Sequence, residues 1–253
     1  MKPDHRYVMK IAYLGTNYSG WQIQDNADTI QGSIVTCLRF LLKQEISLIV
    51  GVGRTDAGVH AVNFFSHFDY FIGLDTVDIL FKLNKCLPND IVIQFIQPIS
   101  SEFHARFSAI SRGYEYWITR VKDPFLINRA YFFYKKLDID LMNEGVSLIL
   151  GEHDFSAFSK SKYDNPICLV NRASWIQSNN MLIFSINSNR FLHNMVRCLV
   201  GTFINLGLNK ITLIDFKCLL NSDERRYSGY SVPACGLYLM QTNYPKAFTF
   251  ENN

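Results

Sequence analysis

Apolar and polar positions in the first 102 residues follow two regular patterns, which predict a mixture of strands and helices. A near period of two in residues 6–14 predicts a strand that ends at the turn residues 15–17. Apolar residues at helical spacing from Ile30 to Leu42, behind the polar start signal Asp28-Thr29, predict an amphipathic helix. The further elements predicted here are strands at 46–52, 60–71 and 91–96 and a short helix at 76–86.

The remainder of the chain repeats this pattern loosely. An apolar stripe over residues 190–206, which includes Leu192, Val196 and Leu199, predicts the clearest helix of this half. A second helix is predicted at 213–221. The strands predicted in this half lie at 114–121, 130–134, 172–177 and 181–187.

Strands accompanied by helices in both halves predict the α+β class. We expect two mostly antiparallel sheets, each backed by helices on one face. Residues 1–102 are expected to form an N-terminal α+β domain, and residues 103–253 a C-terminal one. The exposed faces of the two sheets are expected to form one central cleft.

Composition indicates a soluble globular protein. Of the 253 residues, 48% are hydrophobic, and no apolar run approaches the roughly 18 residues needed to span a bilayer. The first ten residues do not resemble a secretory signal, so we expect a cytoplasmic protein with no membrane partner. The net charge of +3 permits an RNA partner without requiring one, because phosphate binding depends on where positive charge clusters.

The cysteines and glycines argue against several kinds of cofactor site. The six cysteines are far apart, with no Cys-x-x-Cys pair and no histidine at metal-ligand spacing. We therefore expect free thiols and no bound metal. The chain has no glycine-rich loop with the spacing that binds nucleotide phosphates, so no nucleotide cofactor is expected.

The run GVGRTDAG at residues 51–58 places one acid and one base among small residues, between two predicted strands. A turn of this kind holds the Asp56 carboxylate where a substrate can approach it. A simpler interpretation is equally open, in which Asp56 caps a backbone amide and Arg54 extends into water. Spacing alone does not decide between the two.

A second candidate region interleaves aromatic residues with arginines. Aromatic rings can stack on unpaired bases while guanidinium groups bind phosphates, so Arg106, Arg112 and Tyr114 are candidate RNA contacts. The alternative is that Tyr114, Tyr116 and Ile118 simply form the inward face of a strand.

Arg197 lies in the most apolar predicted helix, in one helical row with His193 and Gly201, so its partial burial is expected. A guanidinium removed from water is costly unless it is paired and hydrogen-bonded, which predicts a carboxylate partner. Asp56 is the attractive candidate for that partner. The alternative is that this row of the helix faces solvent.

The run GRTDAGVHA at residues 53–61 resembles the signature of the TruA family of transfer-RNA pseudouridine synthases. Five further runs resemble segments of the same family in the same order: YSGWQIQ at 18–24, FHARFSA at 103–109, GEHDFSAF at 151–158, FLHNMVR at 191–197 and GLYL at 236–239. The resemblance covers about residues 7–245. The clearest departure is Leu14, where the family usually has an aspartate; this position lies outside the catalytic motifs.

The resemblance implies the pseudouridine synthase fold, and conversion of uridine to pseudouridine at positions 38, 39 and 40 in the anticodon stem-loop of transfer RNA. The base is detached from its ribose, turned, and rejoined through carbon. Asp56 is the implied catalytic carboxylate, which either attacks the sugar at C1′ or removes a ribose proton to give a glycal intermediate. No metal, redox cofactor or nucleotide is implied; the implied partners are transfer RNA and a second copy of the chain in a homodimer.

Other site residues receive their roles from the same resemblance. Tyr114 is expected to stack on the target base and is a candidate to remove its C5 proton, and Arg197 is expected to pair with Asp56 and keep it ionised. Leu237 is expected to pack against the base. Arg54 is expected to help extrude the target nucleotide and to fill the space it leaves.

Two other functions are compatible with the residues alone. A non-catalytic α+β module that binds RNA without modifying it would have no use for Asp56 as a reactive group. A metal-dependent phosphotransferase or nuclease would need at least two converging carboxylates, whereas the run around Asp56 supplies one.

Overall fold

A computed structural model describes residues 5–46, 48–222 and 230–250. The chain divides into two compact units, the first made of Met1–Ile110 with Leu239–Asn253 and the second of Ser111–Tyr238. Both units contain strands and helices, which confirms the predicted α+β class. The functional division at residues 102 and 103, and the central cleft, stay predictions.

The regular elements follow one another along the whole described chain. The strands are β1 His5–Tyr13, β2 Val50–Gly51, β3 His60–Tyr70, β4 Ile91–Ile99, β5 Ser111–Thr119, β6 Tyr131–Phe132, β7 Gly151–Asp154, β8 Ile167–Ser178, β9 Met181–Ser188 and β10 Leu237–Asn243. The α-helices are α1 Ile30–Leu42, α2 Thr76–Cys86, α3 Ile139–Ile149, α4 Met195–Gly207 and α5 Leu213–Leu220.

The first unit is built around β1, which pairs antiparallel with β3 on one side and with β4 on the other. Residues 239–243 of β10 continue the sheet beyond β3, and the short β2 also pairs with β3. Helices α1 and α2 pack against each other, and α2 packs against β4. Val8 of β1, Leu38 of α1 and Leu83 of α2 are fully buried, so the core of this unit lies between the sheet and the helices.

The second unit has an antiparallel sheet in the order β5-β9-β8-β7, with β6 added parallel to β5. Helices α3, α4 and α5 pack against one another, and α3 also contacts β8. A row of buried rings joins the sheet to the helices: Trp175 lies 4.8 Å from Phe184, Phe184 lies 5.2 Å from Phe203, and Phe203 lies 5.0 Å from Phe216, measured between centroids. Aromatic packing thus fixes the helices on one face of this sheet.

Most predicted elements are present, but their bounds differ where local geometry overrides the hydrophobic pattern. The helix predicted from residue 190 begins at Met195, because Asn194 has a left-handed backbone with φ 68° and cannot belong to the helix. Of the strand predicted at 46–52, only Val50–Gly51 forms; Ile46 and Ile49 are buried in loop conformation, and Ser47 lies outside the described residues. Burial rather than strand pairing explains that apolar run.

Other differences come from pairings that local sequence does not reveal. The strand predicted at 172–177 begins at Ile167 because residues 167–170 pair with β7, which was not predicted. The strand predicted at 114–121 begins at Ser111, since Arg112 and Gly113 pair with Ser188 and Asn187. The strand predicted at 130–134 shrinks to β6. Helix α3 and strand β10 were also not predicted.

The loop between β2 and β3 is held by the segment that follows β1. Trp21 N donates to Thr55 O at 3.2 Å, and Gly58 N donates to Tyr18 O at 3.2 Å. The hydroxyls of Tyr13 and Thr55 are hydrogen-bonded at 2.9 Å in the interior. Three hydrogen bonds between residues 13–21 and residues 55–58 thus tie a loop without regular structure to β1 and the segment after it.

We call the hydrogen bonds between residues 18–21 and residues 55–58 the clamp. Gly20 is where the two segments of the clamp come closest together. Its φ of 91° is a conformation that residues with a side chain rarely adopt, and a Cβ added there would lie 2.3 Å from Thr55 O. The loop can therefore approach only because position 20 has no side chain.

Residues 101–105 are fixed to the end of β1 and β3 that lies away from Tyr13. Arg6 of β1 forms a two-pronged ion pair with Asp69 of β3 at 2.6 and 2.8 Å, and the two N–H groups of its Nη1 donate to Ser101 O and Phe103 O. The pairing with Arg6 holds the pKa of Asp69 below its usual range.

His67 of β3 adds a contact that depends on its protonation state. Its Nδ1 accepts a hydrogen bond from Ala105 N at 3.1 Å, so the ring must be neutral at this nitrogen. Burial, and then the charge of Arg6 and of His104, lower the pKa of His67 to about 4. The backbone at Ala105 is thus held by a histidine that resists protonation.

Replacing Gly20 by alanine should destabilise the first unit by about 2 kcal/mol or more, because the new side chain meets a backbone carbonyl and the φ is strained. Urea unfolding followed by circular dichroism measures the change. Gly73→Ala is the matched control, since a Cβ at Gly73 meets nothing within 4 Å, and it should alter the free energy of unfolding by less than about 1 kcal/mol. Equal effects of the two changes would contradict the clamp.

Stability should fall as the pH drops from about 6.5 towards 4. His67 has a folded-state pKa of about 4, below the value of 6.5 in an unfolded chain, so within this window the unfolded state binds more protons. The stabilisation that comes from keeping this ring neutral is fully present above pH 6.5. The free energy of unfolding falls by about 2 kcal/mol as the pH drops through this window.

The measurement is the free energy of unfolding at several pH values. His67→Asn offers an acceptor oxygen that does not titrate, so its stability should depend less steeply on pH in this window than that of the unchanged protein. His104, whose pKa is also lowered, is present in both proteins and contributes equally to the two slopes. Identical slopes would show that His67 does not titrate as stated.

Candidate active site

Asp56 lies on a tight turn in the loop between β2 and β3. Val59 N donates to Asp56 O at 3.2 Å, and Gly58 at the third turn position has φ 78°, the requirement of a type II turn. The neighbouring Thr55 is buried, whereas Asp56 is half-buried. The clamp on Thr55 and Gly58 therefore fixes the backbone on both sides of the carboxylate.

Arg54 precedes this turn and is exposed to solvent. Exposure agrees with the simpler interpretation, in which the guanidinium extends into water. It is equally what a residue that contacts a large polar substrate requires, so the position of Arg54 does not separate the two interpretations.

Arg106 lies in the same unit, on a turn that follows the fixed residues 101–105. Its side chain is exposed, and its backbone N–H donates to Nδ1 of His104 at 3.2 Å. Burial, followed by the charge of Arg6, lowers the pKa of His104, which favours the neutral ring that this hydrogen bond needs. The turn thus presents a guanidinium to solvent from a fixed backbone.

Tyr114 belongs to β5 in the second unit. It is half-buried, and its ring meets Phe191 edge to face with 5.0 Å between centroids. Further along β5, Tyr116 and Ile118 are fully buried, and Tyr116 OH donates to Pro233 O at 2.7 Å. Burial raises the pKa of Tyr116, so this hydroxyl stays protonated. The inward-face interpretation is confirmed for Tyr116 and Ile118, whereas Tyr114 keeps part of its ring accessible.

Arg197 lies in the first turns of α4 and is half-buried, which confirms the expected partial burial. Its Nε donates to Val232 O at 2.8 Å, and Val232 N donates back to Arg197 O at 3.3 Å. This exchange of hydrogen bonds orients the guanidinium. The ion pair with Asp56 stays a prediction.

Leu237, the first residue of β10, is 7% exposed and follows a short 3₁₀ turn at Ala234–Gly236. A Cβ on Gly236 would lie 2.7 Å from the Tyr116 ring, so the chain runs close against β5 as it enters Leu237. The structure thus places Arg54, Asp56 and Arg106 in the first unit, and Tyr114, Arg197 and Leu237 in the second.

Several residues that support the Asp56 turn were not identified from the sequence. Tyr13 and Thr55 are 42 residues apart and meet only because β1 and β3 pair. His60 is fully buried and accepts a hydrogen bond from Gly15 N at 3.0 Å, so it serves a structural role next to this turn.

Leu14, the departure from the family pattern, precedes the 3₁₀ turn Gly15–Asn17 and occupies its N-cap position. No side-chain hydrogen bond caps this turn. An aspartate at the same position is among the preferred capping residues. The substitution therefore changes a turn end and leaves the backbone bond from Leu14 N to Asp90 O, 2.9 Å long, in place.

Among the described residues, no group of three or more His, Cys, Asp or Glu residues could hold a metal ion. In the same part of the chain, no helix has the length and apolar character needed to cross a membrane.

Comparison with known proteins adds a direct result. A family model described as tRNA pseudouridine synthase matches residues 146–245. A tRNA pseudouridine synthase A from Azobacteroides pseudotrichonymphae is 41% identical over 98% of this chain and 100% of its own length. Proteins of the same name from Porphyromonas gingivalis and Geobacillus kaustophilus are 40% and 38% identical, over 95% and 92% of this chain and 97% and 92% of their own lengths. Because such identity extends over nearly the whole of each sequence, the chain belongs to the tRNA pseudouridine synthase A family.

Proposed function

We propose that this chain isomerises uridine to pseudouridine at positions 38, 39 and 40 in the anticodon stem-loop of transfer RNA, with Asp56 as the essential carboxylate. The observation that carries the proposal is the Asp56 turn, whose backbone is held on both sides by the segment after β1. Membership of the family supports the substrate and the reaction class. A catalytic group must be placed accurately, and a clamped turn provides that placement.

The reaction needs an ionised carboxylate close to the ribose. Asp56 either attacks C1′, with the base leaving as the bond to its nitrogen breaks, or removes the C2′ proton, so that the base leaves and the sugar becomes a glycal. The detached base then turns, and its C5 bonds to C1′. In the first route the bond between Asp56 and C1′ breaks as this bond forms; in the second, C2′ takes the proton back from Asp56. The C5 proton is then lost. Both routes are compatible with the position of Asp56.

Arg197 is proposed to pair with Asp56 and to keep it ionised. A half-buried guanidinium favours an acidic partner, because an opposite charge offsets the loss of water around both groups. The hydrogen bond from Arg197 Nε to Val232 O orients the Arg197 side chain for this role. Arg197 is in this sense a positioning residue for the carboxylate.

The remaining site residues are proposed to handle the base and the RNA backbone. Tyr114 stacks on the target base and removes the C5 proton, and Leu237 packs against the base. Arg54 and Arg106, both exposed, contact the RNA, with Arg54 filling the space that the extruded nucleotide leaves. We further propose that the protein acts in the cytoplasm as a homodimer, without metal or nucleotide cofactor.

The second candidate function is a module that binds RNA without modifying it. The exposed arginines and aromatic residues would serve that function equally well. A module that only binds RNA does not need a carboxylate held in a fixed position. Substitutions at Asp56 therefore distinguish the two functions.

Asp56→Asn should lower pseudouridine formation by at least about 10³-fold and leave RNA affinity within a few fold, because the change removes the reactive charge and keeps the size. The assay is release of tritium from unmodified transfer RNA labelled at uridine C5, together with a binding titration. Asp140→Asn, an exposed carboxylate on α3, is the control and should keep full activity.

The same assay tests the alternatives. Full tritium release by Asp56→Asn, or none by the unchanged protein with any transfer RNA that has uridine at positions 38–40, would refute the proposed function. Loss of activity on adding a chelator would favour a metal-dependent reaction instead.

Tyr114→Phe should slow tritium release by about 10²-fold or more while RNA affinity changes little, because the ring that meets Phe191 remains and the hydroxyl is lost. Tyr114→Ala removes the ring as well and should weaken binding in addition. Tyr134→Phe, at a tyrosine that is 69% exposed, is the control and should behave as the unchanged protein. A normal rate in Tyr114→Phe would exclude its hydroxyl as the group that removes the proton.

A further inference from the structure

Residues 104–108 form a small turn whose own hydrogen bonds fix its shape. His104 N donates to Ser108 Oγ at 2.9 Å, and Ser108 N donates to His104 O at 2.8 Å. The N–H groups of Arg106 and Phe107 both donate to Nδ1 of His104 at 3.2 Å. The backbone that bears Phe107 is therefore held by bonds that do not involve the Phe107 side chain.

The turn is also anchored to the body of the first unit. Phe103 is fully buried among aromatic rings, with Tyr244 5.0 Å and Phe248 5.2 Å away. Ala105 donates its N–H to His67 Nδ1 and accepts a hydrogen bond from Tyr244 OH at 2.7 Å. The buried ring of Phe103 and these two hydrogen bonds of Ala105 thus help to fasten the turn to strand β3 and to the C-terminal segment.

Phe107 is exposed on this fixed turn. Its side chain is 76% exposed, although burying a ring of this size would be favourable. His104 stacks against it with 4.4 Å between centroids and an angle of 29°, and the Arg106 guanidinium lies 5.5 Å from the ring centroid. The ring is thus held in one orientation by a neutral imidazole, while most of its surface stays open to solvent.

The neighbours of Phe107 on the turn decide what kind of partner fits. His104, Arg106 and Ser108 are polar, so the open ring has a cation beside it rather than further apolar side chains of the turn. An aromatic face next to an arginine suits a nucleotide, since the base stacks on the ring and the phosphate meets the guanidinium. Protein partners favour larger continuous apolar patches.

We infer that Phe107, supported by His104, is a stacking platform for an unpaired base of the RNA substrate, with Arg106 binding an adjacent phosphate. The inference rests on the proposed function for the identity of the RNA, and it assigns a contact other than the one proposed for Tyr114. Because the turn is preformed, the ring loses little conformational freedom when the base stacks.

The turn at residues 104–108 and the Asp56 loop are anchored at different points along β1. The Asp56 loop is tied to Tyr13 at one end of the β1–β3 pair, and the turn is tied to His67, which pairs with Val8. Those points on β1 are separated by about 17 Å along the strand. Because the two turns are anchored at separate points of β1, the platform is assigned to a base other than the uridine that reacts at Asp56.

The test compares RNA affinity among Phe107 variants, with an unmodified transfer RNA transcript that has uridine at positions 38–40. Phe107→Ala should weaken binding by about 5- to 100-fold, the usual loss for one stacked base. Phe107→Leu, which is apolar without a π-face, should bind almost as weakly. Phe107→Trp should retain affinity, and RNA should quench its added fluorescence relative to the unchanged protein.

Salt dependence separates stacking from charge. Phe107→Ala should weaken binding at every salt concentration without changing the slope of log K against log salt, since no phosphate contact is lost. Arg106→Gln should reduce the magnitude of that slope by about 0.7 to 0.9. Phe81→Ala is the matched control, because Phe81 is 59% exposed in the same unit and has the Lys85 ammonium 4.4 Å from its ring centroid; it should bind RNA normally.

Several results would overturn the platform. These are normal affinity of Phe107→Ala or of Phe107→Leu, an equal loss in Phe81→Ala, and a Phe107→Trp signal that RNA does not alter. Thermal unfolding of Phe107→Ala at the same temperature as the unchanged protein verifies that the turn remains folded. Because affinity is measured apart from catalysis, a protein that binds RNA through Phe107 but releases no tritium would refute the proposed reaction and leave the platform standing.

Discussion

The hydrogen bonds that tie residues 18–21 to residues 55–58 are the constraint on which the candidate active site depends. The loop that bears Asp56 has no regular structure of its own, so its position is set by contacts with its neighbours. The close approach of Gly20 to Thr55 O allows those bonds to form at normal length. A carboxylate held in this way needs little rearrangement before it reacts, which is where much of an enzyme's advantage over solution chemistry arises.

The same pair of strands fixes a second region. Near one end of the β1–β3 pair, Tyr13 is bonded to Thr55; at the other, Arg6 and Asp69 form the ion pair that also binds Ser101 and Phe103. Two exposed loops are thus fixed in position by one rigid antiparallel ladder. Loops that carry function on a rigid scaffold are a common solution, because binding and chemistry need exposed groups while accuracy needs a buried framework.

Local sequence was sufficient where a local signal determines the structure. Helix α1 begins directly after Thr29, whose side chain accepts from Gly32 N at 3.2 Å, and polar capping residues can be read from sequence. The late start of α4 depends instead on the left-handed Asn194, and β7 depends on pairing with β8. For the site, the family pattern indicated Asp56 as the catalytic carboxylate, which stays a prediction. Its support by Tyr13 could not be predicted, since that bond joins residues 42 positions apart.

The exposed aromatic turn and the carboxylate turn are proposed to contribute to different parts of the free energy of reaction. A base that stacks on Phe107, and is not the base that reacts, would be bound equally well before and during the chemical step. Such uniform binding increases the fraction of enzyme that holds RNA but does not accelerate the step itself. Acceleration must come from groups whose interaction grows as the bond between base and ribose breaks, and Asp56 is the group proposed for that role. Under this proposal, affinity and rate depend on different residues.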